Sequence, residues 1–213
     1  MKKIKLSFLA IALMVATAVS AQVSFGIQGG VNVSNVKRSE PIVLGDQKIK
    51  MNPNFGFNFG ILTDIGLTYN MGIRSGLFFT SKGYRLSEHN FIYEGMQARV
   101  PQFSLNLLYL QIPVHFAYKV DATSRTRVVL HAGPYLAYGI AGSRIVDGKR
   151  DGPPVFGSQG FKPFDIGLGL GAGAEFGRFL VGVGWDMGLL NFSRHDTISF
   201  RNQNAFATVG LRL

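Results

Sequence analysis

Eight stretches of this chain alternate between large apolar residues and small or polar ones. The clearest covers Phe164–Phe176, where Phe, Ile, Leu and Ala at even positions alternate with Asp, Gly and Glu at odd positions. A period of two predicts a β-strand with two unlike faces. The eight predicted strands are Val23–Ser34, Phe55–Ile61, Ile73–Lys82, Leu108–Tyr118, Arg127–Ile140, Phe164–Phe176, Phe179–Gly188 and Asn204–Leu213.

The connections between these runs alternate in length. Three are short and lie near Thr68–Asn70, Val120–Thr126 and Gly177–Arg178. The other four are long, at about Asn35–Pro53, Gly83–Phe103, Ser143–Pro163 and Asn191–Gln203. Short turns at one rim and long loops at the other are typical of outer-membrane barrels, whose tilted strands need about 9–11 residues. The pattern predicts an all-β fold, an eight-stranded antiparallel up-and-down transmembrane β-barrel with short periplasmic turns and long extracellular loops.

The alternative is a soluble sandwich or lipocalin, in which the apolar set faces the core and the polar set faces water. The polar set of this chain is mostly Gly, Asn, Ser and Gln, and the chain contains 27 Gly among 213 residues. Glycine weakens a solvent-facing strand, but it suits the narrow interior of an eight-stranded barrel. The composition therefore favours the membrane barrel, with the apolar set facing lipid.

The charges of the eight runs, together with Asp64 just beyond the second run, all belong to the predicted inward set. Four are positive and four are negative, and charges inside a lumen must be paired. The predicted network, which we assign a structural role, consists of Asp64, Arg74, Lys82, Arg127, Asp165, Glu175, Asp186 and Arg212.

The first 21 residues have the pattern of a cleaved secretory signal peptide. Lys2, Lys3 and Lys5 precede the uncharged apolar run Leu6–Ala18, and the small residues of Val19–Ala21 end the segment. An uncleaved anchor is the alternative, but the apolar run is too short for a comfortable membrane helix. We predict a signal peptide at residues 1–21 and a barrel domain at residues 22–213.

Cleavage removes three lysines and no acid, so the net charge falls from +10 to +7. A basic balance can indicate nucleic-acid binding. However, the basic residues are scattered and cluster only modestly, as at Lys37-Arg38 and Lys149-Arg150, and an exported protein rarely meets nucleic acid. We expect no nucleic-acid partner.

Two groups of residues could carry chemistry. His115 and His131 fall on the inward faces of neighbouring strands, where a metal is one reading and a hydrogen-bonded lumen pair is the other. Glu88-His89, Ser193 and His195-Asp196 lie in long loops and could belong to an enzyme acting on lipid or peptide at the outer rim. No nucleophile elbow is present. We expect no catalytic residue, no metal and no cofactor.

Several segments resemble the PorT-like outer-membrane β-barrel family, in the same order along the chain. Tyr109–Val114 is similar to the family's Y-L-E-I-P-L strand and Gly133–Tyr138 to its G-P-Y strand. Phe78–Gly83 is similar to its Y-S-Q-K-G stretch, and Gly26–Asn35 to its opening strand. The chain departs from the pattern at Gln111, where the family often has Glu, and it ends in Leu213, where barrels often end in Phe.

The resemblance implies an integral outer-membrane barrel of a Gram-negative bacterium, and its namesake is linked to protein export. We expect a non-enzymatic protein with a plugged lumen whose loops serve a structural, adhesive or secretion-associated role. Expected partners are outer-membrane lipid, the barrel-assembly machinery and envelope or secretion proteins that contact the loops. The alternative function is the rim enzyme named above.

Overall fold

A computed structural model describes residues 23–39, 42–44, 47–93, 96–152, 154–157, 160–194 and 199–213. The predicted signal peptide and its cleavage site lie outside these residues. Among the described residues, no helix is long and apolar enough to cross a membrane.

Eight long strands form one closed antiparallel sheet, which confirms the predicted fold class. Each strand pairs with its neighbours in the chain, and β1 pairs with β8 to close the barrel. The strands are β1 (Val23–Arg38), β2 (Asn52–Gly66), β3 (Met71–Leu86), β4 (Phe103–Thr123), β5 (Thr126–Val146), β6 (Phe164–Phe176), β7 (Phe179–Gly188) and β8 (Phe200–Arg212).

The two rims of the barrel differ as predicted. One rim, called here the turn end, has tight connections at residues 67–70, 124–125 and 177–178. The opposite rim, called the loop end, has the four long connections. The turn after β4 is shorter than expected, because β4 continues to Thr123 and the turn consists of Ser124-Arg125 alone.

The long connections contain additional short strands that the sequence pattern did not reveal. Ile42–Leu44 pairs with Gln47–Ile49, and His89–Tyr93 pairs with Met96–Val100. Lys149–Asp151 folds back onto the end of β5. Strands of three to five residues are too short to show a reliable period.

Along the barrel wall, successive residues alternate between the outside and the lumen. Leu168 and Leu170 are 49% and 54% exposed, whereas Asp165 is fully buried. Each of the eight strands exposes large apolar side chains, such as Phe57 on β2, Leu77 on β3 and Val209 on β8. The predicted assignment of outward and inward faces is confirmed at these positions.

Near the loop end the inward face becomes apolar, which the sequence analysis did not anticipate. A group of buried residues, called here the cap, packs inside this part of the barrel. The cap consists of Val36, Tyr84, Leu105, Leu107, Tyr109, Tyr135, Ala137, Val155 and Phe192. It forms a small hydrophobic core above the polar lumen.

Candidate functional site

The charged residues of the lumen divide into two clusters, one near the turn end and one below the cap. In the turn-end cluster, Asp64 of β2 and Glu175 of β6 are both nearly buried. Arg74 of β3 donates two hydrogen bonds of 2.8 Å to Asp64 and one of 2.9 Å to Glu175. The cluster therefore links strands that are not neighbours in the sheet.

Two further cations complete this turn-end cluster. Arg212 of β8 lies 2.8 Å from Glu175 and 3.2 Å from Asp64. Lys119 of β4 lies 3.4 Å from Asp64. Bidentate and shared charge-assisted hydrogen bonds of this kind offset the cost of removing the charges from water.

The second cluster is centred on Lys82, whose side chain is completely buried. Its ammonium lies 3.4 Å from Asp165 and 4.4 Å from the centre of the Tyr135 ring. Tyr135 and Asn202 donate hydrogen bonds to the same carboxylate, at 3.2 and 2.9 Å. A buried lysine with a carboxylate and an aromatic face has the two partners that stabilise its charge.

Asp186, the last acid of the predicted network, accepts a hydrogen bond of 2.9 Å from Gln111 across the lumen. Asp186 and Gln111 are 3% and 6% exposed. Gln111 is also a position at which the chain departs from the PorT-like pattern. The amide there gives Asp186 a donor that a glutamate would not provide.

One predicted member occupies a different place. Arg127 lies at the turn-end rim and pairs with Asp121 at 2.7 Å, with both side chains about one third exposed. Its role in the lumen is taken by Lys119, which the predicted network omitted. The signal for Lys119 was present, because it continues the inward phase of His115 and Ala117 by one more step. With Lys119 in place of Arg127, the lumen still contains four cations and four carboxylates.

His115 and His131 meet between the two clusters. Their Nδ1 atoms are 2.8 Å apart and their rings stack with centres 5.1 Å apart. One Nδ1–H can donate to the other nitrogen when both rings are neutral. Among the described residues, no group of three His, Cys, Asp or Glu is arranged to hold a metal ion.

A cavity of about 80 Å³ lies in the lumen beside this histidine pair. Its polar lining includes Gln28, Asn58, Thr80, Gln111 and Asn204. The volume is enough for a few water molecules. A wider recess of about 680 Å³ opens at the turn end between Arg127, Arg212 and the turn after β4.

The residues suggested for a rim enzyme do not form a catalytic arrangement within the described chain. Ser193 is 2% exposed, which hides its hydroxyl from a substrate. Glu88 accepts a hydrogen bond of 2.8 Å from Arg99, which lowers the pKa of Glu88. His89 contacts the carbonyl of Ser87 at 2.8 Å. His195-Asp196 lies outside the described residues.

Comparisons with known proteins are consistent with this geometry. The sequence profile of a family described as outer membrane protein beta-barrel domain matches residues 3–194. No curated protein matches the chain in sequence.

Several solved structures resemble the barrel. Ail of Yersinia pestis, in complex with the heparin analogue sucrose octasulfate, is 13% identical with a TM-score of 0.43, over 90% of this chain and 99% of that chain. Neisserial surface protein A is 18% identical with a TM-score of 0.45, over 90% and 99%. OprG of Pseudomonas aeruginosa is 11% identical with a TM-score of 0.49, over 92% and 98%. Identities this low carry no information about function.

Proposed function

This chain belongs to the family of outer membrane proteins with a β-barrel domain, and on that premise we propose that it is a non-enzymatic membrane anchor with a plugged lumen. Its long loops act at the cell surface in a structural, adhesive or secretion-associated role. The namesake of the PorT-like family is linked to protein export, so envelope and secretion proteins are among the proposed partners of the loops.

The observation that carries this proposal is the contrast between the two faces of the wall. The outer face presents Phe25, Phe57, Ile61, Leu130 and Val183, each at least 48% exposed. The lumen contains the buried charges and amides described above. A soluble protein rarely exposes so large a contiguous apolar surface, whereas a lipid-facing barrel requires one.

The lumen supports an anchoring role better than a transport role. The cap packs buried apolar side chains into the loop end, and the two charge clusters and the histidine pair occupy the space below, beside a cavity of about 80 Å³. Eight strands leave room for little more than side chains. We therefore expect the purified monomer to conduct no ions in planar lipid bilayers. Large, stable single-channel steps, absent from a mock preparation in the same detergent, would show that the lumen is open.

The proposed orientation places the loop end outside the cell, with residues 1–21 removed as a signal peptide. An epitope inserted at the exposed Asp147-Gly148 turn is expected to bind antibody on intact cells. The matched insertion at Ser124-Arg125 is expected to bind only after the outer membrane is opened. N-terminal sequencing of the membrane fraction is expected to begin at Gln22. A soluble periplasmic product, or the reverse pattern of antibody binding, would contradict this orientation.

The biological role is tested by deleting the gene and comparing the secreted and surface proteomes. A change in specific exported proteins would support a secretion-associated role, and loss of attachment to surfaces would support an adhesive one. Hydrolysis of lipid or peptide by the purified barrel would favour the alternative of a rim enzyme.

A further inference from the structure

Two basic residues lie side by side on the outer face of the barrel, where β1 and β8 close it. Lys37 and Arg201 are directly opposite each other in the antiparallel register, and both are exposed. Opposed side chains in such a pair are about 5 Å apart at Cβ, and like charges at this position destabilise the sheet. Within the described residues, neither side chain makes an ion pair or a hydrogen bond.

The height of this pair on the wall matches a lipid headgroup. Along β1 the outward apolar residues extend from Val23 to Val33. Ten residue steps at the tilt of a barrel strand cover about 25 Å, which equals the height of the apolar band of such barrels. Lys37 is four residues further along, so it lies about 10 Å beyond the band.

Below the two cations, the side chains along the seam between β1 and β8 are smaller than those on the flanking strands, and this strip of smaller side chains is called here the trough. Val33 pairs with Ala205 and Val31 pairs with Ala207 along the seam between β1 and β8. Their outer neighbours on the flanking strands are Phe55 and Phe57 on β2, and Trp185 and Val183 on β7. On the outer face, the Asn35–Gln203 pair alone lies between the trough and the cations, so an acyl chain can lie along the trough while its headgroup lies between the cations.

We propose that Lys37 and Arg201 bind the phosphate of an anionic lipid in the leaflet at the loop end, with an acyl chain along the β1–β8 seam. The phosphate offsets the repulsion between the two cations and accepts hydrogen bonds from both. A lipid satisfies the cations and the apolar trough together, whereas a free phosphate satisfies the cations alone. This inference rests on the proposed membrane embedding.

Trp185 is the only tryptophan of the chain and lies on the edge of the trough, directly beside Ala205. Its fluorescence therefore reports which lipids occupy the seam. The barrel is reconstituted in phosphatidylcholine vesicles that contain either dibrominated phosphatidic acid or dibrominated phosphatidylcholine as the quenching lipid. From the attraction of one Lys or Arg to an anionic lipid surface, we expect phosphatidic acid to be preferred by about fivefold or more.

The variants assign this preference to the site. In Lys37→Gln/Arg201→Gln the two lipids are expected to quench equally, while Lys37→Arg keeps the preference. The matched control, Arg125→Gln/Arg178→Gln, removes two exposed cations at the turn end and is expected to change nothing. Heat-modifiable migration on gels verifies that each variant is folded. High salt is expected to reduce the preference of the wild-type protein, because it screens exposed charges.

The outcomes separate this inference from the proposed function. If brominated phosphatidylcholine does not quench Trp185 at all, the outer face is not in lipid, and both proposals fall. If both lipids quench the wild-type protein equally, only the lipid site is overturned. The same holds if the preference survives in Lys37→Gln/Arg201→Gln or disappears in the turn-end control.

Discussion

Replacement of Leu170 by Arg tests the orientation of the wall at the place where the effect is largest. Leu170 is the central residue of β6, it is 54% exposed, and it lies beside Trp185 on the outer face. An arginine at the midplane of a membrane barrel costs about 2–4 kcal/mol. On the surface of a soluble protein, the same substitution changes the free energy of unfolding by about 0.5 kcal/mol or less.

Phe179→Arg provides the matched control, because Phe179 is 65% exposed but begins β7 beside the tight turn. An arginine near the interface costs only about 0–1 kcal/mol. The free energy of unfolding is measured by denaturant titration of the protein folded into lipid vesicles. A depth-dependent difference between the two variants supports the membrane band. Equal stability of Leu170→Arg and the wild-type protein would refute the assignment of the outer face.

Three further predictions concern the lumen and the loops. Glu175→Gln leaves Arg74 and Arg212 without one of their two shared carboxylates, so we expect a loss of about 3 kcal/mol of unfolding free energy in the same titration. Gly169→Ala is expected to cost about 1–3 kcal/mol by overpacking, because its Cβ would lie 2.6 Å from an oxygen of Asp186, and a wild-type midpoint would contradict this packing. The contact with Arg99 lowers the pKa of Glu88, so this contact is retained above the ordinary carboxyl pKa and is lost as the pH falls through the lowered pKa. In Arg99→Gln, the pKa of Glu88 measured by NMR titration is expected to return toward its ordinary value.

The fold was predictable because every barrel strand repeats one simple pattern. The period of two identifies each strand and both of its faces, and the alternation of short and long connections gives the topology. The ends of the strands were harder to predict from the sequence. Lys119 and Leu105 both lie in β4. Lys119 follows the end of the predicted strand Leu108–Tyr118, and Leu105 precedes its start.

The pairing inside the lumen could be predicted only as a balance of charges. The sequence shows which face of the wall a residue lies on but not its position along the barrel axis. The contact of Arg74 with Glu175 on a strand across the lumen was therefore not predictable. The proximity of His115 and His131 was accessible, because β4 and β5 are neighbours. The stacking of their rings was not, since it depends on rotamers and on the glycines of β6 that leave room for them.

The turn-end cluster determines how neighbouring strands align. The outer face of the barrel cannot do this, because it carries similar apolar residues along the whole length of each strand. If one strand slides past its neighbour by two residues, the backbone pairs can re-form and the side chains return to the same faces. In lipid, such a slip would exchange one apolar residue for another and change little. It would also move a guanidinium such as that of Arg212 by about 6.6 Å along its strand, away from the carboxylates of Asp64 and Glu175. The ion pairs of the lumen thus fix the strand register, which the apolar outer face of the barrel does not specify.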